Sequence, residues 1–242
     1  MLLTHVHDSE SLSAVLKEHP VLLELDTLKR LAESIVAAHQ ADHVEMAMQA
    51  AAMLLMLLKI YQTMPAEGSI AQQEQFISLQ ELVLPPVGAL GIVELLDALK
   101  DALGESLNTL GNAYSEQGQH QEAIGAYSRA VSHGVAFAML YRNRAGEYIG
   151  IKSLAEAEAD LHKATELEPD ARRLAQLWRE LSVAFCLAGQ QSDAIRAMQE
   201  SSRRTTDEQR TEAIAALEAL KAEHPEHETN LNVLINLIRE HQ

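Results

Sequence analysis

One set of small and aromatic residues returns along the chain at a nearly constant interval, and this repetition limits the fold more than any other feature. The clearest copy reads Tyr141, Arg144, Ala145, Tyr148, Ala157, Leu161, Ala164 and Pro169. Equivalent residues stand 34 positions earlier, at Leu107, Leu110, Gly111, Tyr114, Ala123, Tyr127 and Ala130. A third copy follows at an interval of 37, at Trp178, Leu181, Ser182, Phe185, Gly189, Ala194, Met198 and Ser201. Such an interval predicts stacked helical units that share one core.

The residue types at the repeated positions suit pairs of packed helices. The small residues fall where two helices must approach closely, because a large side chain there would force the pair apart. The aromatic residues are expected to fill the space between one pair and the next. The three extra residues of the longer interval are predicted to lie in a loop near Ala171–Leu174.

This pattern resembles the tetratricopeptide repeat (TPR) family, whose W-x₂-L-G-x₂-Y…A-x₃-F…A…P signature is met most fully by the second and third copies together. The resemblance covers residues 104–206. It implies an all-α, right-handed α-solenoid in which the first helix of each pair lines a concave groove. It also implies that the groove holds a peptide or a helix of another protein.

By that resemblance, one residue set on the first helices lines the groove: Asn108, Asn112, Ser115, Arg142, Asn143, Gly146, Ile149, Arg179, Val183 and Cys186. Asparagines suit the amide backbone of an extended peptide, and arginines suit a carboxylate. Some TPR domains grip chaperone C-terminal tails with a carboxylate clamp, and Asn112 and Asn143 fall at clamp positions. Asn108 replaces the clamp lysine and Glu180 stands where a further base is expected, which argues against a true clamp. A solvated helix face is the alternative for all these polar residues.

Two residues of this set, Gly146 and Cys186, also have alternative explanations. Gly146 lies within a helix, where glycine costs up to about 1 kcal/mol relative to alanine. Close approach of a ligand would explain it, and so would a bend near Gly150. Cys186 has no basic neighbour in sequence, so a buried structural thiol is favoured over a reactive one.

Composition excludes several other classes of protein. The net charge is −16, with 14 acids and 5 bases in residues 1–103, 13 and 11 in 104–206, and 8 and 3 in 207–242. A chain this acidic and without a basic stripe repels a phosphate backbone, so no nucleic acid is expected as a partner. The single cysteine excludes an intrachain disulfide, and residues 1–10 do not resemble a signal peptide, which favours a cytoplasmic location.

Outside the repeats the sequence predicts further helix pairs in three regions: 1–103 as degenerate TPR-like pairs, 104–206 as the three repeats, and 207–242 as a capping pair. The expected helices before the repeats are a short one from about Asp8 to Pro20, then Leu22–Ala38, Asp42–Gln62, Ile70–Leu84 and Val87–Leu103, with a break at Pro85–Pro86. Capping boxes are predicted at Ser153-x-x-Glu156 and Thr205-x-x-Glu208.

One helix is unusually apolar. Residues 50–58 carry no polar side chain, but this run is well short of the roughly 20 residues that a membrane crossing needs, so no membrane contact is expected. The segment Met46–Leu58 therefore predicts either a core helix or the contact surface of a homodimer.

No catalytic or cofactor-binding constellation is present in the sequence, which contains no phosphate-binding glycine loop and no nucleophile elbow. The histidine pairs closest to metal spacing are His5/His7, His39/His43 and His224/His227, and none is joined by a cysteine cluster. The sequence thus predicts a non-enzymatic adaptor without metal or cofactor.

Two alternatives remain at this stage. One is a secretion-type TPR chaperone for a client protein, whose reading frame should neighbour that of its client. The other is a regulatory or docking subunit of a separate enzyme, which should adjoin a catalytic domain.

Overall fold

The fold is all-α. A computed structural model describes residues 25–63, 70–89, 91, 93–168 and 172–240, and these residues contain no strand. Their α-helices are α1 (Leu25–Gln40), α2 (Val44–Thr63), α3 (Ile70–Ala89), α4 (Val93–Glu116), α5 (His120–Ser132), α6 (Ala138–Gly150), α7 (Leu154–Leu167), α8 (Arg172–Leu187), α9 (Gln191–Ser202), α10 (Asp207–Glu223) and α11 (Glu228–Glu240). A 3₁₀ turn, Pro225–His227, precedes α11.

The chain divides into two compact units. The first unit comprises Met1–Ala113 with Ser132–Val135, and the second comprises Tyr114–Val131 with Ala136–Gln242. The boundary therefore falls inside α4 instead of at a linker. The three-part division made from the sequence stays a prediction, as does the right-handed course of the whole array.

The second unit is built from successive helix pairs. Helix α6 packs on α7, α7 on α8 and α8 on α9, and the two first helices α6 and α8 also contact each other. Helices α9 and α10 each pack on α11. The small signature residues Ala145, Ala157, Ser182 and Ala194 are all 0% exposed. The approach positions predicted from the repeat are thus the places where the helices meet.

Buried hydroxyl groups join the helices of the third repeat. Ser182 Oγ, at the small position of α8, donates to the Ala194 carbonyl of α9 at 2.6 Å. Ser201 Oγ donates in the opposite direction, from α9 to the Ala175 carbonyl, at 2.7 Å. These bonds satisfy polar groups that burial would otherwise leave without water, and they fix how the two helices are paired.

The side chain of Arg144 joins three consecutive helices through an ion pair and a hydrogen bond. Arg144 on α6 donates from Nε and Nη2 to the two carboxylate oxygens of Asp160 on α7, each at 2.7 Å, and from Nη1 to Ser128 Oγ on α5 at 2.9 Å. The rings of Tyr141 and Tyr148 flank its guanidinium. The hydrogen bond that Arg144 donates to Asp160 raises the pKa of Arg144 against the opposing effect of burial. Arg144, read from the sequence only as a repeat position, is therefore a central structural residue.

The first unit packs α1 against α2 and α3 through aliphatic side chains, including Ile35, Leu54 and Ile77, each 0% exposed. The break predicted at Pro85–Pro86 is wrong, because α3 continues to Ala89. Val83 and Val87 on either side of the prolines are fully buried, and this burial offsets the missing backbone donors.

The helix end predicted at Leu103 is also wrong. Leu103 and Gly104 are both buried within α4, one helix of 24 residues. Its buried face continues through Leu99, Leu103 and Leu107 without a proline, so the helix that was expected to end at Leu103 and the one that was expected to follow are the same helix.

Three smaller expectations also change. Ser153 precedes α7 but makes no side-chain cap bond. The capping box at α10 lies one residue later than predicted, between Thr206 and Gln209, because the Thr206 hydroxyl accepts from the Gln209 amide. Leu174 is helical, since α8 begins at Arg172. The helix predicted from Asp8 to Pro20 lies outside the described residues.

Candidate functional site

The first helix of the second repeat presents a half-buried stripe. Arg142, Gly146 and Ile149 stand at i, i+4 and i+7 of α6, one face of a helix, and Asn143 lies beside them. All four have intermediate exposure, whereas Leu140 and Ala145 of the same helix are fully buried. The stripe thus lies at the rim of the core, where a second chain can reach it.

The next first helix continues this arrangement only in part. Arg179 and Val183 of α8 are half-buried, and within the described part of the chain Arg179 has no ion pair or hydrogen bond. Cys186, one turn further on, is 0% exposed, and burial raises the pKa of its thiol. Cys186 therefore packs in the core and does not offer its thiol to a ligand, contrary to its place in the predicted groove.

Gly146 faces a neighbouring helix as well as the rim. A Cβ built on it would stand 3.8 Å from Leu177 Cδ2 of α8, which is ordinary van der Waals contact. Alanine would fit there without displacing anything, and a leucine would extend over the face that carries Arg142. The glycine keeps that face open between the two first helices.

Ser115 has a specific partner that the sequence did not reveal. Its Oγ donates to Glu147 Oε1 at 2.6 Å, and His120 Nδ1 lies 2.6 Å from Glu147 Oε2. Glu147 is nearly buried, with 11% of its side chain exposed. The three residues join the end of α4, the start of α5 and α6, so Ser115 acts within the fold. Their separations of 32 and 27 residues left no local pattern to read.

The remaining two predicted groove residues belong to the first unit. Asn108 is 7% exposed and Asn112 is exposed, and both have interaction partners. The expectation that they line one groove together with the residues of α6 and α8 stays a prediction.

A cleft lies at the turn end of the pairs α6/α7 and α8/α9. Its volume is about 650 Å³, and its lining includes Ile149, Leu154, Phe185, Ala188 and Arg196. Ile149 is the only predicted groove residue in this lining. The repeat pattern did not reveal the cleft, because most of its lining comes from turn residues and second helices.

Within the residues described, no group of three or more His, Cys, Asp or Glu side chains is arranged to hold a metal ion. The same residues include no helix with the length and apolarity of a membrane span.

Sequence comparison finds short matches to two curated proteins, while no protein-family model matches the chain. The small glutamine-rich tetratricopeptide repeat-containing protein of Dictyostelium discoideum is 30% identical over 69 residues, which is 28% of this chain and 21% of that protein. The DnaJ homolog subfamily C member 7 homolog of Schizosaccharomyces pombe (strain 972 / ATCC 24843) is 32% identical over 87 residues, 34% of this chain and 18% of that protein. The matched segments are thus about a fifth of each relative.

Solved structures with a similar arrangement of helices are more distant in sequence. YrrB, a TPR protein with an unusual peptide-binding site, is 13% identical, covers 86% of this chain and 98% of its own, and superposes with a TM-score of 0.44. The TPR2AB domain of yeast Sti1, in complex with pHSP90, is 14% identical, covers 96% of this chain and 90% of its own, and has a TM-score of 0.38. Superpositions with scores this low do not establish a shared ligand or site.

Repeated helix pairs that meet at buried small residues define an all-α repeat protein. The interval of 34 residues, the burial of Ala145, Ala157 and Ala194 at the signature positions, and the match to a tetratricopeptide repeat-containing protein make the chain similar to tetratricopeptide repeat proteins.

Proposed function

We propose that the chain is a non-enzymatic scaffold that binds an extended segment of a partner protein along the exposed faces of α6 and α8. The observation that carries the proposal is the half-buried stripe of Arg142, Gly146 and Ile149 beside Arg179 and Val183. The stripe offers guanidinium donors, apolar contacts and a glycine that leaves the rim open. This mixture suits a peptide, whose backbone and side chains present both polar and apolar groups.

Two of the structurally similar proteins are described with a partner: YrrB has a peptide-binding site, and the TPR2AB domain of Sti1 is in complex with pHSP90. Neither identifies the partner of this chain. Arg142, Asn143 and Arg179 favour a polar or acidic segment over a purely apolar one.

The test is selection of random peptides displayed on phage against the full-length chain. Selected peptides should compete with one another for one site. Arg179→Ala should weaken them by about 1–3 kcal/mol, because it leaves a ligand polar group unpaired. Gly146→Leu should abolish binding by covering the rim. Arg203→Ala is the matched control, since Arg203 directly follows α9, its side chain is 62% exposed and it pairs with Glu200.

Two results would contradict this site. Selected peptides that bind equally well to wild type and to Gly146→Leu would place the interaction elsewhere. Loss of binding in Arg203→Ala to the same extent as in Arg179→Ala would indicate attraction to general charge.

A homodimer through α2 is a second proposal with its own observation. Val44 is 44% exposed, Met46 is 59% exposed and Met48 is 39% exposed, in a helix whose other face is buried. Exposed methionines suit adaptable apolar contacts. Light scattering should show a dimer that Met46→Glu converts to a monomer, and a wild-type monomer at high concentration would contradict the proposal.

A further inference from the structure

A polar bridge closes the junction between the pairs α4/α5 and α6/α7 at its turn end. Ser115 Oγ donates to Glu147 Oε1 at 2.6 Å, and His120 Nδ1 lies 2.6 Å from Glu147 Oε2. The His120 ring also lies against Gly150, since its Cε1 would stand 3.6 Å from a Cβ added to that glycine. A ring and a carboxylate thus occupy this place in the repeat.

The next junction, between α6/α7 and α8/α9, has an apolar residue at each equivalent position. These positions come 34 residues later for the serine and the histidine and 37 residues later for the glutamate and the glycine. They hold, in the same order, Ile149, Leu154, Ala184 and Leu187. All four are half-buried and line the cleft of about 650 Å³. None of these side chains can donate or accept a hydrogen bond, so no polar bridge closes this junction and the cleft stays open.

The apolar lining of the cleft is surrounded by charged side chains. Arg196 pairs with Glu158 at 3.3 Å and with Asp193 at 2.6 Å, so its charge is satisfied within the fold. Glu156, exposed in the first turn of α7, and the exposed Lys152 make no ion pair or hydrogen bond with any described residue. Three acids and two bases therefore line the cleft, in a chain whose net charge is −16. This balance favours a ligand that carries positive charge.

We propose that the cleft is a docking site for an aromatic side chain of a partner protein that is followed by a lysine or an arginine. The ring takes the place that the His120 ring occupies in the preceding junction, against the apolar lining that includes Phe185, and the base pairs with Glu156. Aromatic and arginine side chains are frequent anchors at protein interfaces. A second copy of this acidic chain suits the cleft poorly, because the two net charges repel each other.

This docking site goes beyond the proposed peptide binding along α6 and α8 and does not rest on it. The two surfaces share only Ile149. They also differ in the charge that they favour, since the stripe offers arginines and the cleft has an excess of acids. A single partner protein could therefore contact both surfaces only through two segments of different composition.

The probe is the capped dipeptide N-acetyl-Phe-Arg-amide, titrated into the full-length chain with ¹³C-labelled methyl groups. The methyl signals of Leu154 and Leu187 should shift and saturate together, whereas those of Ile235 on α11 should not follow the same curve. The matched dipeptide with glutamate in place of arginine should bind about 3-fold more weakly or worse, because its charge has the opposite sign. The dipeptide with alanine in place of phenylalanine should bind about 10-fold more weakly or worse, because it lacks the ring.

Two variants close the cleft in different ways. Ala188→Phe adds a ring at an exposed residue of the lining and should weaken the probe by about 10-fold or more, because it fills the cleft. Ala159→Phe is the matched control, since Ala159 is also exposed but does not line the cleft. Leu154→His combined with Ala184→Glu restores the bridge of the preceding junction and should remove binding as well. Ala188→Phe keeps the test valid if this double variant does not fold.

Unchanged probe affinity in Ala188→Phe, or methyl shifts that never saturate, would overturn the docking site. Equal binding of the arginine and glutamate dipeptides would overturn the role of the charged side chains, and equal binding of the alanine dipeptide would overturn the aromatic anchor. Gly146→Leu, which covers the stripe on α6, should leave the affinity for the dipeptide unchanged. Failure of the cleft and failure of the proposed peptide binding can therefore be told apart.

Discussion

The two compact units hold their helices together in different ways. In the second unit the helices meet at small residues, and side chains such as Ser182 and Arg144 bond across the contact. In the described part of the first unit, α1–α3 meet through aliphatic side chains, and the buried Gln80 has no hydrogen-bond partner for either side-chain polar atom. Position dictates residue identity in the second unit, whereas an aliphatic core accepts many sequences. Most of the readable repeat therefore lies in the second unit.

The opening of the second unit alone can be measured at Cys186, because this is the one cysteine of the chain and it is fully buried there. Labelling by a thiol reagent should be slower than in the unfolded chain by about a thousand-fold or more, since only opened molecules react. The raised pKa of this thiol adds stability that is complete below the pKa of the unfolded thiol, so stability should fall as the pH rises through the folded value. Rapid labelling under native conditions would show that α8 is not held as described.

The largest stability change should come from Arg144→Ala. It leaves Asp160, with 9% of its side chain exposed, without its partner, and such a loss costs about 3–5 kcal/mol. Denaturant unfolding of the variant measures this cost, and Arg203→Ala should change stability by less than about 0.5 kcal/mol. An Arg144→Ala variant as stable as Arg203→Ala would contradict the bond between α5, α6 and α7.

The sequence predicts the structure of the second unit better than that of the first. The interval of 34 residues correctly predicted the buried positions Ala145, Ala157 and Ala194, because each lies where close packing permits only a small side chain. It did not predict the continuous α4 or the course of α3 through Pro85, because burial of distant side chains decides both. It also missed the partner of Ser115, which is 32 residues away.

A matched pair of substitutions sharpens the contrast between the units. Ser182→Ala should destabilise the second unit by about 1 kcal/mol, because its bond to the Ala194 carbonyl is lost. Gln80→Met should stabilise the first unit by about 1 kcal/mol, since it replaces unpaired buried polar atoms with an apolar side chain of similar length. If both variants were stabilised, or both destabilised, the contrast between the two units would be contradicted.

The smallest expected effect is that of Gly146→Ala. The added Cβ meets Leu177 at an ordinary distance, so the helix should gain up to about 1 kcal/mol. Thermal unfolding checks this gain. A destabilised variant would mean that α6 and α8 approach more closely than the structure shows.

The position of a bound peptide tests the central claim most directly. Amide chemical shifts of the full-length chain, recorded with and without a selected peptide, should change most along Arg142–Ile149 of α6 and Arg179–Val183 of α8. Arg179→Ala should remove those changes at the same peptide concentration, while Arg203→Ala should retain them. Changes concentrated at the cleft around Leu154, Ala188 and Arg196, or at Met46 of α2, would contradict binding along the first helices.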